Sequence, residues 1–231
     1  MKNYAFFDVD GTLINMKSMF SFQKYFFLKY TNKYNLLMKI KYFYFNARMK
    51  YYILTNKSRE YINKKYYECF FGVDRKSFIN CAYKWYEDIK KHHSNIVIPE
   101  IFQILQNHLD SGDEVVFVSG SSVDILAPFA KDMGVKHILA TNMKVVNDKY
   151  TGEILFPQTI GEGKKIIIQM FMKNQGDKIG HTYAYGDDYS DIPMLSAVDF
   201  PNVISGDFSL DRYADEKKWK KIIIGRVENA I

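Results

Sequence analysis

Tyr4-Ala5-Phe6-Phe7-Asp8-Val9-Asp10-Gly11-Thr12 is the stretch on which the fold turns. Its first four residues are a short apolar run, the signature of a buried strand, and the run ends abruptly in acid. Residues two apart on a strand point to the same side. If that geometry persists briefly, Asp8 and Asp10 gather at the sheet's carboxyl edge, where open α/β sheets bind ligands. Two carboxylates that close repel and want a cation, and Mg2+, which takes one or two carboxylates plus phosphate oxygens and water, answers that demand. The plainer reading is an acidic turn bent at Gly11. Against it, these fixed positions arise by chance in a chain of 231 residues only about a few times in a thousand.

Outward from that stretch the chain alternates. Apolar runs at Glu114 to Val118, His181 to Tyr185 and Phe200 to Ser205 read as further strands. Helical spacing over Ile101, Ile104, Leu105 and Leu109 stops at Gly112. Another helix spans Val123 to Met133 with Pro128 inside it, and a third runs from Gly163 to Lys173. Strands alternating with helices imply a parallel sheet. Ile138 to Ile154, with Asn147-Asp148 and Thr151-Gly152, reads as a β-hairpin. The stretch from Asn15 to Ser94 breaks the rhythm: it is long, rich in Tyr, Phe and Lys, and spaced helically at Phe22 and Phe26, so it reads as a helical insertion after the first strand. Phe20, Phe22, Tyr25, Phe26, Phe27 and Tyr30 are expected to form its core, with Cys69 and Cys81 packed there as small apolar groups.

Composition excludes disorder and collagen-like repeats, with 47% hydrophobic and 25% charged residues. The net charge of +6 is unevenly spread: residues 11–59 hold ten Lys/Arg and no Asp or Glu, leaving the rest of the chain with 22 basic and 26 acidic residues. Two cysteines cannot build a disulfide framework, and the N-terminus shows no cleavage site, so a reducing cytoplasm is expected. Lysines interrupt the most apolar block, Phe20 to Leu54, too often for a membrane span. Coding bias alone is one account of a Lys-rich, aromatic insertion. Functionally, such a block attracts anionic substrates and allows peripheral contact with an anionic membrane surface. Nucleic acid is not an expected partner, because no motif and few Arg support it.

Three more clusters sit at strand and helix ends. Ser119-Gly120-Ser121 precedes a helix, offering a hydroxyl and backbone N–H groups to an anion; alone it is a simple turn. Lys164, in Gly161-Glu162-Gly163-Lys164, places an ammonium at a helix start, where it opposes the dipole and wants an anion nearby. Gly186-Asp187-Asp188-Tyr189-Ser190-Asp191 brings three acids into one loop. The five histidines carry no catalytic pattern: His92-His93 diverge, and the others are isolated.

The order Asp8-Val9-Asp10-Gly11-Thr12, Ser119-Gly120, Lys164, Gly186-Asp187-x-x-x-Asp191 resembles the haloacid dehalogenase superfamily of phosphohydrolases. The long helical insertion is similar to that of its phosphoserine-phosphatase-like branch. The resemblance runs on through Thr151-Gly152-Glu153, Tyr183-Ala184-Tyr185 and Ile192-Pro193-Met194-Leu195, and covers about two thirds of the chain. It implies an α/β, Rossmann-like core with a parallel sheet and helices on both faces, formed by residues 1–14 and 95–231, under an α-helical cap formed by 15–94. It implies a Mg2+-dependent phosphatase acting on a small-molecule or lipid- or sugar-linked phosphate monoester. Asp8 would attack phosphorus, and Asp10 would move the proton. Ser119, the Gly120 N–H and Lys164 would grip the phosphoryl oxygens. Asp8, the Asp10 backbone carbonyl, Asp187 and Asp191 would hold the metal. Asp188 is the weaker candidate of this loop, since the pattern needs only its first and last acids. Ser190 stands where phosphoserine phosphatases carry Asn, and no acid between Gly11 and Arg59 is present to receive a serine ammonium; both departures argue against phosphoserine as substrate. Arg48 and Arg59 are the cap residues to inspect first. A phosphotransferase using the same aspartyl phosphate, and an idle module binding membrane or RNA through its basic cap, are the alternatives.

Overall fold

Alternate residues of the first strand, β1 (Lys2–Phe7), feed two different cores. Ala5 and Phe7 face one apolar cluster, and Tyr4 and Phe6 face another. The second strand, β2 (Glu114–Ser122), divides the same way, with Val115 and Phe117 on one side and Val116 and Val118 on the other. Period-2 alternation between two apolar environments is what a sheet covered on both faces requires, which is why these strands read as unbroken hydrophobic runs. The computed structural model describes residues 1–30, 36–93, 95–176 and 179–225.

Six parallel strands form that sheet in the order β3-β2-β1-β6-β7-β8, where β3 is His137–Thr141, β6 Ile179–Gly186, β7 Phe200–Ile204 and β8 Lys220–Ile222. The chain winds outward from β1 to β3 on one side and from β6 to β8 on the other. The direction reverses between β1 and β6, and a sheet of this kind opens a ligand crevice there. One face carries α7 (Glu162–Gln175), α8 (Ile192–Leu195) and α9 (Phe208–Lys217), anchored by Ile168, Leu195 and Leu210. The other carries α5 (Pro99–Asp110) and α6 (Val123–Asp132), anchored by Ile101, Leu105, Ile125 and Phe129. Pro128 lies within α6 and is buried without ending the helix.

One sequence expectation is corrected. Residues 138–154 are not a single hairpin: β3 pairs in parallel with β2, with Phe117 opposite Ile138, and only β4 (Met143–Val146) and β5 (Lys149–Ile154) are antiparallel. A short run such as Ile138-Leu139-Ala140 suits either role; the crossover through α6 brings it back beside β2, where its neighbours are apolar on both sides. The β4–β5 turn is the one read from Asn147-Asp148, both of which hold positive φ, 49° and 59°. The second strand also runs through Ser119-Gly120-Ser121 to Ser122, four residues beyond Val118.

Between β1 and α5 lie α1 (Ser18–Tyr25), a π-helical turn (Phe26–Tyr30), α2 (Leu36–Leu54), α3 (Arg59–Tyr67) and α4 (Arg75–His92). Their interior is aromatic: Phe22 lies 4.7 Å from Phe78 and 5.6 Å from Trp85 between ring centroids. Trp85 and Tyr86 of α4 pack on Phe129 of α6, so one apolar cluster runs unbroken from the sheet into these helices. Cys69 and Cys81 are buried and unpaired. Phe20 departs from the expected core, being 43% exposed.

Candidate active site

Asp8 is the first residue past β1, and its N–H donates to the Tyr185 carbonyl of β6 at 2.9 Å, so its place is set by the sheet itself. Its carboxylate meets the Lys164 ammonium at 2.5 Å, and the same ammonium reaches Asp191 at 2.6 Å. Lys164 projects from the first turn of α7 and is buried with both acids. Burial works against its charge, yet Asp191 and Asp8 hold its pKa above the ordinary lysine value. Asp187 completes the group: carboxylate oxygens of Asp8, Asp187 and Asp191 lie within 4.8 Å of one another.

Small residues make that convergence possible. Gly11 adopts φ +102°, and a Cβ there would stand 2.3 Å from Asp187 Oδ2. At Gly186 a Cβ would stand 2.8 Å from Asp191. Thr12 fixes Asp187 by donating to Oδ1 at 2.9 Å, and the Asp188 N–H donates to Asp191 Oδ2 at 3.2 Å.

Burial raises all four acids of the site. Desolvation raises Asp8, and Lys164 partly offsets the rise; Asp187 is raised by the same cause, and Asp191 reaches about 6. Asp10 rises to about 7, again through burial, against the pull of Ser18, whose N–H and hydroxyl both donate to Oδ2 at 2.9 Å. Its other oxygen, Oδ1, is buried without a partner. The Asp10 side chain therefore stands apart from the three clustered carboxylates. Its backbone carbonyl accepts from the Lys17 ammonium at 3.2 Å.

Ser119 and Gly120 sit near the end of β2. The Ser121 N–H donates to Ser119 Oγ at 3.1 Å. The Gly120 carbonyl accepts three donors at 3.0 Å each, from Asn63, Tyr67 and Thr141, which fixes the peptide plane. Ser119, Gly120 and Asn63, with Asp8, Asp10, Lys164 and Asp191, line a cavity of about 630 Å³. Its opposite wall comes from the helices inserted after β1: Met19, Phe20, Ile53, Ile62 and Tyr66 supply apolar surface, and Lys57 and Arg59 supply positive charge. Arg59 crosses the cavity rim to Asp188 and Ser190. Arg48 instead pairs with Glu68 at 2.8 Å and does not line the cavity.

All seven site residues picked from the sequence converge here. Lys17, Ser18, Asn63 and Tyr67 were not singled out there. Lys17 and Ser18 lie seven and eight positions after Asp10 with no motif of their own, and Asn63 and Tyr67 meet Gly120 only through tertiary packing.

A parallel α/β sheet with acids and a buried lysine at its switch point, roofed by helices inserted after the first strand, defines a hydrolase of the phosphatase type. The haloacid dehalogenase-like hydrolase family model matches residues 5–196. A Mycobacterium tuberculosis protein named as a probable phosphatase is 30% identical over 96% of this chain and 75% of its own length. A histidinol-phosphatase of Neisseria meningitidis is 26% identical over 95% of this chain and 97% of its own. A solved phosphoserine phosphatase with bound substrate superposes with a TM-score of 0.64 at 16% identity, covering 98% of this chain and 94% of that one. The chain belongs to the haloacid dehalogenase-like hydrolases.

Proposed function

We propose that the protein is a Mg2+-dependent phosphomonoesterase working through an aspartyl phosphate on Asp8, with residues 1–14 and 95–231 as the catalytic core and 15–94 as its cap. The observation that carries this reading is the Lys164 ammonium held between Asp8 and Asp191, at 2.5 and 2.6 Å, beneath a cavity that Ser119 and Gly120 also line. The three clustered carboxylates suit a hard dication: they are oxygen donors, they crowd within 4.8 Å, and one lysine does not neutralise them. Asp8, Asp187 and Asp191 would hold it, and the bound ion would neutralise charge on the phosphoryl group.

The chain's own residues account for the rest. A carboxylate oxygen of Asp8 attacks phosphorus, and the bond from phosphorus to the ester oxygen breaks. Asp10, raised to about 7 and so able to carry a proton near neutrality, gives that proton to the leaving oxygen. Ionised Asp10 then takes a proton from water, which attacks phosphorus, releases inorganic phosphate and frees Asp8. Ser119, the Gly120 N–H and Lys164 hold the phosphoryl oxygens, spreading the charge of the transferring group.

The leaving group is neutral or anionic. Among the described residues the cap side of the cavity offers no carboxylate, and the one acid at its rim, Asp188, is held by Arg59. An aminoalcohol ammonium finds no partner there, whereas an apolar body meets Phe20, Ile53, Ile62 and Tyr66. The two unpaired cysteines suit a reducing compartment such as the cytoplasm.

Hydrolysis of para-nitrophenyl phosphate tests the reading. Asp8→Asn is expected to lower turnover by about three orders of magnitude or more with the fold intact. Unchanged turnover would remove Asp8 from its role. Product analysis with competing alcohols separates hydrolysis from transfer: transfer without phosphate release would make the protein a phosphotransferase.

A further inference from the structure

The second cap helix, α2, is apolar on two opposite sides. Phe45 and Met49 are buried and Met38, Tyr42 and Tyr52 pack beside them on the aromatic cluster of the cap. On the far side Leu37, Ile40, Phe43, Tyr44, Tyr51 and Leu54 are exposed, Leu37 and Leu54 to 75% and 76%. At about 100° per residue these six fall within an arc of roughly 120° on the side away from Phe45 and Met49, in a stripe about 27 Å long. A contiguous apolar surface of that size on a folded chain marks a contact.

Charge says with what. On the helical projection Lys39 and Lys50 border the stripe along one side and Lys41 and Arg48 along the other. Arg48 is engaged with Glu68, and Lys41 also lies over the Phe27 ring. The stripe sits within the 49-residue block, 11–59, that contains ten Lys/Arg and no acid. A second copy of the chain would set one such block against another, like charge on like. An anionic bilayer takes both features at once, with acyl chains meeting Ile40 and Phe43 and headgroups meeting the bordering lysines. No helix among the described residues is long and apolar enough to cross a membrane, so α2 would lie in the interface.

We propose that the outward face of α2 is a docking surface for anionic membrane. The last turn of α2 contributes Ile53 to the cavity lining, followed by Asn56 and Lys57, so the docking helix also forms part of the cavity wall. An effect of docking on substrate entry rests on the proposed phosphatase function; the docking does not.

The test is flotation with vesicles of phosphatidylcholine alone and of phosphatidylcholine mixed with phosphatidylglycerol. The wild-type chain is expected to float with the mixed vesicles, to stay behind with phosphatidylcholine alone, and to lose binding as salt rises. Ile40→Asp/Phe43→Asp should cut the floated fraction by about tenfold, because it places charge in the apolar stripe. Lys39→Gln/Lys50→Gln, which leaves the apolar residues in place, should also weaken flotation. All four positions lie outside the catalytic cavity, so melting temperature and para-nitrophenyl phosphate turnover in solution should match wild type. Absence of wild-type flotation with mixed vesicles overturns the proposal, as does flotation that Ile40→Asp/Phe43→Asp leaves unchanged. A wild-type dimer that ignores vesicles and dissociates in Ile40→Asp/Phe43→Asp, seen by analytical ultracentrifugation, would assign the stripe to a second copy instead. Flotation needs no turnover, so a failed phosphatase assay leaves this result standing.

Discussion

Arg59, the first residue of α3, grips both carboxylate oxygens of Asp188 in the loop after β6: Nη1 donates to Oδ1, and Nη2 donates to Oδ2 at 2.9 Å. Nη1 also donates to Ser190 Oγ at 3.0 Å. Although burial pushes Asp188 up, Arg59 and the Ser190 donors hold its carboxyl at about 2. The pair ties the cap to the loop that carries Asp187 and Asp191, across the rim of the cavity. It gives the otherwise unassigned middle acid of that loop a structural partner. Arg59 is 62% exposed, so solvent screens the pair and its stability contribution is about 1 kcal/mol or less. Because Arg59 also lines the cavity, the larger effect is expected on substrate capture. Arg59→Ala should raise KM for a phosphate ester severalfold and change kcat less. Asp188→Asn should do the same, and the double variant should be little worse than either. Fully additive losses in that double-mutant cycle would show that the two residues act separately.

The raised carboxylates make the metal-free protein sensitive to pH in a defined direction. Asp10 and Asp191 titrate at about 7 and about 6 when folded, above the ordinary carboxylate value. Groups shifted this way favour the folded state while protonated, and that contribution is lost as pH rises through the folded values. The depressed acids, Asp188 among them, finish titrating below this window. In EDTA the melting temperature should therefore fall between pH 5 and pH 8. Mg2+ should stabilise more at pH 8 than at pH 5, because it balances carboxylates that are then ionised. A melting temperature that rises with pH in EDTA contradicts the burial argument, and Asp10→Asn should flatten the fall.

What could be read from the sequence was local. Asp8 and Asp10 directly follow an apolar strand, Lys164 opens a helix, and Asp187 and Asp191 share a loop; each signal needs only a few neighbouring residues. What escaped was long-range. Nothing near Asn63 or Tyr67 shows that they would clamp the Gly120 carbonyl 57 and 53 positions away. Ser18 reaches Asp10 because the chain doubles back at Gly11 and Ile14, where the Gly11 N–H donates to the Ile14 carbonyl. Phe20 shares the aromatic spacing of its buried neighbours but faces the cavity, since periodicity places a residue on a helix face without saying what that face meets. Strand β3 failed for a related reason: its apolar run suits a hairpin arm as well as a sheet edge, and only the packing of α6 decides.

Gly11 is required both by its backbone and by Asp187. A side chain at φ +102° is strained by about 1–3 kcal/mol, and its Cβ would also stand 2.3 Å from Asp187 Oδ2. Gly11→Ala should therefore lose stability and also lose Mg2+-dependent stabilisation, because Asp187 has to move. Gly72 is the control: its φ is +77°, but a Cβ there meets nothing within 4 Å. Gly72→Ala should lower the melting temperature and leave the Mg2+ increment intact. Equal loss of that increment in both variants would show that backbone strain alone, rather than contact with Asp187, explains the effect.

Asp10→Asn should split the two chemical steps. An amide at this position still accepts from Ser18 through its oxygen but carries no proton to give and takes none from water. With para-nitrophenyl phosphate the leaving phenolate departs without help, so phosphorylation of Asp8 should remain fast while attack by water slows. The expected trace is a burst close to one equivalent of para-nitrophenolate, followed by steady turnover lower by about two to four orders of magnitude. With an alkyl phosphate, whose leaving oxygen needs the proton, the burst should disappear and both steps should slow. A burst-free loss of turnover with the aryl ester would confine Asp10 to the first step. Turnover equal to wild type would leave its buried, partnerless Oδ1 without a catalytic purpose.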